Sequence, residues 1–274
     1  MRARRVWALA AGALVALVAL ASALAAHDLF IKLDTYFLAP GAAVRVPVLN
    51  GTFTKSENAI ERRRIADLSL VTPAGRSALD TGAVSAQGDT TMLALRLGGT
   101  GTYVVGLSTR PSEISLSGKQ FSEYLAEEAI RDVLDARTQA GISADSAHER
   151  YAKHVKAVFQ VGSARTGGFA TPLGYPAEIV PVDNPYTLGP GGVLRVRGLV
   201  DGKPLAGLSV LAGGRTRRGA RIRAQELRTA ADGVAAVRLT ARGRWYVKFV
   251  RMTPAAGGRG QYESHWATLT FEVR

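Results

Sequence analysis

The chain has no cysteine among its 274 residues. That single absence excludes a disulfide framework, a thiolate metal site and a cysteine nucleophile. Enzyme signatures are lacking too: there is no G-x-S-x-G elbow, H-E-x-x-H pair, P-loop or dinucleotide fingerprint. The glycine-rich stretches LGGTG and GPGG fall between strand-like runs, where turn chemistry accounts for them. No repeat of solenoid period is visible. Acidic residues are outnumbered, 22 against 35 Lys plus Arg, and the formal net charge is +13. Hydrophobic residues at 47% and charged residues at 21% describe a globular chain. With 30 glycines and 11 prolines it must turn often, which speaks against an all-helical fold.

Residues 1–26 read as a signal peptide. Arg2, Arg4 and Arg5 form a basic start, and an uncharged run from Val6 to Ala26 ends in small residues. Cleavage after Ala25 would leave Ala26 first, whereas cleavage after Ala26 would make His27 the mature N-terminus. Either cut removes three positive charges and leaves no transmembrane segment. Residues 27–116 read as an N-terminal β domain. In HDLFIKLD, His27, Leu29, Ile31 and Leu33 share one face, and the runs AVRVPVL, IADLSLV, TMLALRL and TYVVGLS follow between turn signals.

Residues 117–161 read as a helical hairpin. Residues 119–137 contain no Gly or Pro, Gly141 ends that helix, and Ser143 or Asp145 can cap a second one reaching about Val158. Residues 162–176 form a polar, glycine-rich linker, and residues 177–274 return to a β rhythm. About seven short strands there, with Asp201-Gly202 and Asp232-Gly233 as hairpin turns, fit an immunoglobulin-like sandwich. The expected fold is therefore mainly β, with two immunoglobulin- or transthyretin-like β-sandwich units, an inserted helical hairpin and no parallel sheet.

Four histidines are the remaining chemical candidates. His27 opens the first strand on its apolar face, and His265 opens an inward row with Ala267, Leu269, Phe271 and Val273. A terminal His27 can chelate a metal with ring and amine, and His154 or His265 would add a second ring, a nitrogen-rich set suited to Cu(II) or Ni(II). Lys153 and Lys156 crowd His154, and His148 is given no role. Such a site should weaken below about pH 6.5, where free imidazole protonates. The five arginines at 215, 217, 218, 221 and 223 read as an exposed hairpin loop. No aromatics interleave them for base stacking, so no nucleic-acid partner is expected.

The segments AHDLFIKLDTYFLAPG, NGTFTKSENAIERRRI, KQFSEYLAEEAI, ERYAKHVKAVFQVG, GYPAEIVPVDNPYTLGPG and YESHWATLTFEV carry a resemblance. The chain resembles exported bacterial proteins of a domain family of unknown function, often described as periplasmic components of nickel/cobalt uptake. The resemblance implies a periplasmic β-rich protein and matches His27 and His154 to family positions. Two functions follow as expectations. One is non-catalytic binding of a divalent transition metal (Ni, Co or Cu) at His27, His154 and His265, in the service of an envelope transport component. The other is a β-sandwich adaptor or adhesion module for a cell-envelope partner. An oxidative copper enzyme of the brace type would share the His27 feature. Amino-terminal sequencing of the exported protein is expected to begin at Ala26 or His27. Recovery of the uncut chain in membranes would overturn the cleavage reading.

Overall fold

A computed structural model describes residues 27–274, so the segment read as a signal peptide, residues 1–26, lies outside the described residues. The chain begins with β1 (Asp28–Ile31), β2 (Phe37–Leu38), β3 (Ala43–Gly51), β4 (Ile65–Thr72) and β5 (Gly75–Ala78). It continues through β6 (Val84–Gln87), β7 (Thr90–Arg96), β8 (Gly101–Thr109) and β9 (Ser112–Leu116). Helices α1 (Gly118–Glu127) and α2 (Arg131–Gln139) precede the long strand β10 (Ala147–Val161). Then come β11 (Ala177–Pro181), β12 (Val193–Val200), β13 (Lys203–Pro204), β14 (Ser209–Arg215) and β15 (Arg221–Arg228). The chain closes with β16 (Val234–Arg238), β17 (Gly243–Pro254) and β18 (Gln261–Val273). Strand makes up 52% and helix 13% of the described residues, so the mainly β, sandwich-like expectation holds. Among the described residues, no helix is long and apolar enough to cross a membrane.

One ten-stranded sheet runs β15-β14-β17-β18-β10-β8-β4-β5, with β2 and β9 also paired to β10. A four-stranded sheet, β1-β3-β7-β6, comes from the N-terminal half, and another, β11-β12-β13 with β16, from the C-terminal half. Alternation along the strands puts these two smaller sheets on opposite faces of the large one. On β18, Thr270 donates to the carbonyl of Ile31 in β1, whereas Leu269 and Phe271 point the other way into the core with Leu194 and Val196 of β12. On β17, Lys248 reaches Asp28 of β1, while Trp245, Val247 and Phe249 point into that same C-terminal core. The hairpin β14–β15 carries the arginine cluster, with Arg217 and Arg218 in its exposed turn and Arg215, Arg221 and Arg223 in the strands. Among the described residues Arg217 alone of the five pairs with an acid, Glu272, at 3.1 Å.

Three expectations are corrected. The stretch from Ser143 to Val158 is no helix: from Ala147 onward it is β10, paired in parallel with β18 from His148↔Gln261 to Ala157↔Thr270. The expectation of no parallel sheet therefore fails at this ladder. Covered on both faces, β10 loses the polar/apolar alternation that marks a half-buried strand, and its lysines imitate the wet side of a helix. The first helix is also two helices. Ser117 caps α1 through a reciprocal pair with Gln120, and Ala129, at φ 55°, breaks the helix before α2. A continuous helix would turn the mean direction of Ile130 and Val133 about 130° away from that of Phe121 and Leu125. The break sends all four into one satellite core with Tyr262 and Trp266. Gly141, at φ 68°, ends α2 as expected.

The lysines of β10 are buried on opposite sides. Lys156 Nζ lies 2.7 Å from Glu178 Oε1 of β11, with side chains 3% and 1% exposed. Glu178 also accepts from the backbone N–H groups of Leu173 (2.6 Å) and Gly174 (3.1 Å). Removing either charge strands the other, which costs about 3–5 kcal/mol. In urea unfolding, Lys156→Met and Glu178→Gln should each lose about that much, and the double variant less than the sum of the two.

Candidate functional site

The β10–β18 ladder pairs His154 with Ala267 and His265 with Ala152, so both histidines face the same side of the sheet. Their ring centroids are 5.4 Å apart, and the planes differ by 23°. Nε2 of His154 lies 3.1 Å from Nδ1 of His265. On its other side, Nδ1 of His154 lies 2.9 Å from Oγ of Ser108 on β8. Three adjacent strands therefore hold a row of Ser108, His154 and His265.

Tyr175 packs against His154 at 5.7 Å between centroids, leaving that histidine 3% exposed. Gly106, two residues before Ser108 on the same face, makes this cover possible. A Cβ at Gly106 would lie 2.8 Å from Tyr175 Oη and 2.1 Å from Leu173 Cδ1. Tyr175 Oη in turn donates to Asp67 Oδ2 at 2.6 Å, and Asp67 is held by Ser69 at 2.8 Å and by Arg76 at 3.3 Å. His265 is only half-buried, so the pair is open to solvent from its side.

Burial, reinforced by the adjacent His265, pushes His154 down to about 3. Burial also lowers His265, against the opposing pull of Glu263 and Asp201. Both rings are neutral near pH 7, the state in which imidazole coordinates a metal. The row Ser108–His154–His265 also has the order of a nucleophile–base–orienter relay. A histidine that protonates only near pH 3 is a poor acceptor for a serine proton, and Ser108 is itself buried.

The expected three-histidine set is split. His27 precedes β1, its Nε2 is 2.8 Å from Glu57 Oε2, and its carbonyl accepts a hydrogen bond from Lys153 Nζ. Lys153 and His154 are neighbours on β10 and face opposite sides of the sheet, so the structure brings His265 to His154 and leaves His27 behind the sheet. The ammonium of Lys153 is also poorly placed beside a metal chelated by the His27 main chain. Lys156 does not repel a cation at His154, since Glu178 neutralises it. His148 bonds Ser115 at 3.0 Å near Glu113.

Behind the sheet sits a buried charge cluster that the sequence did not suggest. Lys248 Nζ lies 2.6 Å from Asp28 Oδ2 and 2.9 Å from Glu128 Oε1. Burial works against the charge on Lys248, but Asp28 and Glu128 outweigh it and hold its pKa above the ordinary lysine range. Burial and the nearby Asp28 raise Glu128 to about 7. Glu149, raised mainly by burial, accepts from Tyr124 Oη at 3.0 Å and from Ser264 Oγ. Asp28 is thus committed to Lys248 and adds no ligand beside His27. Among the described residues, no group of three or more His, Asp or Glu side chains gathers as a metal cage.

The low pKa of His154 sets a sign for stability. Between pH 6.5 and about 3 the unfolded chain takes up a proton that the folded His154 refuses, so stability is lost as pH falls through that window. The limiting slope is about 1.4 kcal/mol per pH unit. Glu128 acts oppositely, its raised folded pKa favouring the fold as pH drops from about 7 toward 4.5. Comparison with His154→Phe in urea unfolding at pH 7 and pH 5 isolates the histidine. The wild-type advantage should shrink at the lower pH, and an unchanged difference would show that His154 is not held neutral.

A family model described as "Domain of unknown function (DUF4198)" matches residues 24–253. No curated protein matches the chain. Among solved structures, it is similar to Salmonella α2-macroglobulin reacted with methylamine, at 13% identity and TM-score 0.25, covering 89% of this chain and 15% of that one. Trypsin-activated α2-macroglobulin from Escherichia coli is similar at 12% identity and TM-score 0.25, over 90% and 15%. A tetra-tandem repeat from the extending region of a large adhesion protein is similar at 9% identity and TM-score 0.23, over 91% of this chain and 50% of that one. The family match extends over most of the chain, from the first described strand into β17, and so the protein belongs to the DUF4198 domain family.

Proposed function

We propose that the protein binds a divalent transition metal ion, Ni(II), Co(II) or Cu(II), through His154 and His265. In this reading it carries the ion within the periplasm toward an envelope transport component. The observation that carries the reading is the facing pair of neutral imidazole nitrogens, 3.1 Å apart. Two nitrogens bound to one first-row ion at about 2.0–2.1 Å are themselves about 2.9–3.4 Å apart, so the spacing suits a shared ion as well as a hydrogen bond. The ion would take the lone pairs of His154 Nε2 and His265 Nδ1. Nδ1–H of His154 would then donate to Ser108 Oγ, which fixes the tautomer and the ring orientation. With two protein nitrogens and an open side at His265, the remaining positions would go to water or to groups arriving with the ion. Such a site fits exchangeable cargo better than a closed structural ion. The signal pattern and the family resemblance support the periplasmic setting.

Calorimetric titration with Ni(II), Co(II) and Cu(II) tests the site. His154→Ala and His265→Ala should each weaken binding at least tenfold, about 1.4 kcal/mol, with His27→Ala unchanged. Binding should also persist below pH 6.5, since both ring pKa values lie below that of free imidazole. If no ion binds, or if only His27→Ala abolishes binding, the pair is not the site. A non-catalytic adaptor for an envelope partner would then be the better account.

A further inference from the structure

The face of the sheet away from the histidine pair holds a cavity of about 680 Å³, within the range of small-ligand pockets. Its walls come from β1, β3, the segment 58–64, the end of β8 with Arg110-Pro111-Ser112, and β10. Four cations line it, Arg63, Arg64, Arg110 and Lys153, against one acid, Glu61. Two of these cations already have partners. Arg63 pairs with Glu61, and Lys153 donates to the His27 carbonyl with Asp28, Glu149 and Glu128 nearby behind the sheet.

Arg64 and Arg110 are left. Nε of Arg64 is buried and meets no hydrogen-bond acceptor among the described residues, which is costly for a charged donor. The guanidinium lies 5.8 Å from the Tyr151 ring centroid, and Lys153 Nζ approaches the same ring at 5.3 Å. Two like charges are therefore held against one aromatic ring. Arg110 is fixed beside them, its backbone N–H donating to Arg64 O at 2.6 Å and its Nε to Arg63 O at 3.1 Å. Around this cationic end the wall supplies apolar surface from Leu29, Ile60 and Pro111 and amide groups from Asn50 and Asn58.

We propose that this cavity is a binding site for a small organic oxyanion, a carboxylate or phosphate ester on an apolar or planar body. The anionic group would meet Arg64 and Arg110, and the body would lie along Tyr151, Ile60 and Pro111. The arginine fork suits both oxyanions, since either can accept two parallel N–H bonds. The site is independent of the metal reading, because it opens on the opposite face of β10.

Calorimetric titration of the whole protein with benzoate and with phenyl phosphate tests the proposal, with benzamidine as an aromatic cation of similar size. At least one aromatic anion should bind, more weakly as salt rises, and the tighter of the two identifies the headgroup. Arg64→Met should weaken that binding at least tenfold. Arg110→Ala, at an exposed position, should weaken it several-fold without lowering the thermal midpoint, and His265→Ala should leave it unchanged. The proposal is overturned if neither anion binds up to about 10 mM, roughly 2.7 kcal/mol at the 1 M standard state. It is equally overturned if benzamidine binds as well as the anions, or if both arginine variants bind like the wild type.

Discussion

The parallel ladder between β10 and β18 is the contact on which the rest of the molecule depends. β10 borders the N-terminal strands β8 and β9 on one edge and the last strand of the chain on the other. Without it the large sheet would fall into two halves. Its central position also forces its side chains to opposite sides of the sheet, one residue after another. Lys153, His154 and Lys156 differ in environment for that reason alone. Lys153 joins the carboxylates behind the sheet, His154 meets His265 and Ser108 in front, and Lys156 is sealed with Glu178.

Much of the β framework was legible in the sequence, because most strands have one clear polar/apolar alternation or an obvious turn at the end. Asp201-Gly202 shows the second kind: both residues have positive φ, 49° and 75°, as a tight hairpin turn between β12 and β13 requires. β10 was illegible for the opposite reason. A strand covered on both faces has no period to read, and charged residues within it look like a solvated helix face. Arg137, at the end of the Gly- and Pro-free run, carries no signal of its own, yet it is 1% exposed, lies over the Phe121 ring and donates to Tyr262, Ile142 and Asp145.

The candidate site was half legible. Its histidines are few enough to enumerate, but which two meet depends on a parallel register between residues more than a hundred positions apart. No local pattern encodes that register. Ser108 and Tyr175 carried no signal at all: one lies inside an ordinary strand run and the other in a glycine-containing linker. The resulting chemistry comes from solvent exclusion. The fold takes water from one side of an imidazole and leaves its neighbour half open, so a residue that ordinarily titrates near neutrality stays uncharged well into the acid range.

The order of the strands also dictates when the molecule can be finished. β10 ends at Val161, yet its partner β18 begins only at Gln261, so during synthesis one edge of the central strand stays unsatisfied until that later strand follows. Open edges of this kind recruit other chains, and pairings across long sequence separations form slowly. Folding must therefore wait for residues 261–273. Until they dock, that edge is open to pairing with a second copy of the chain.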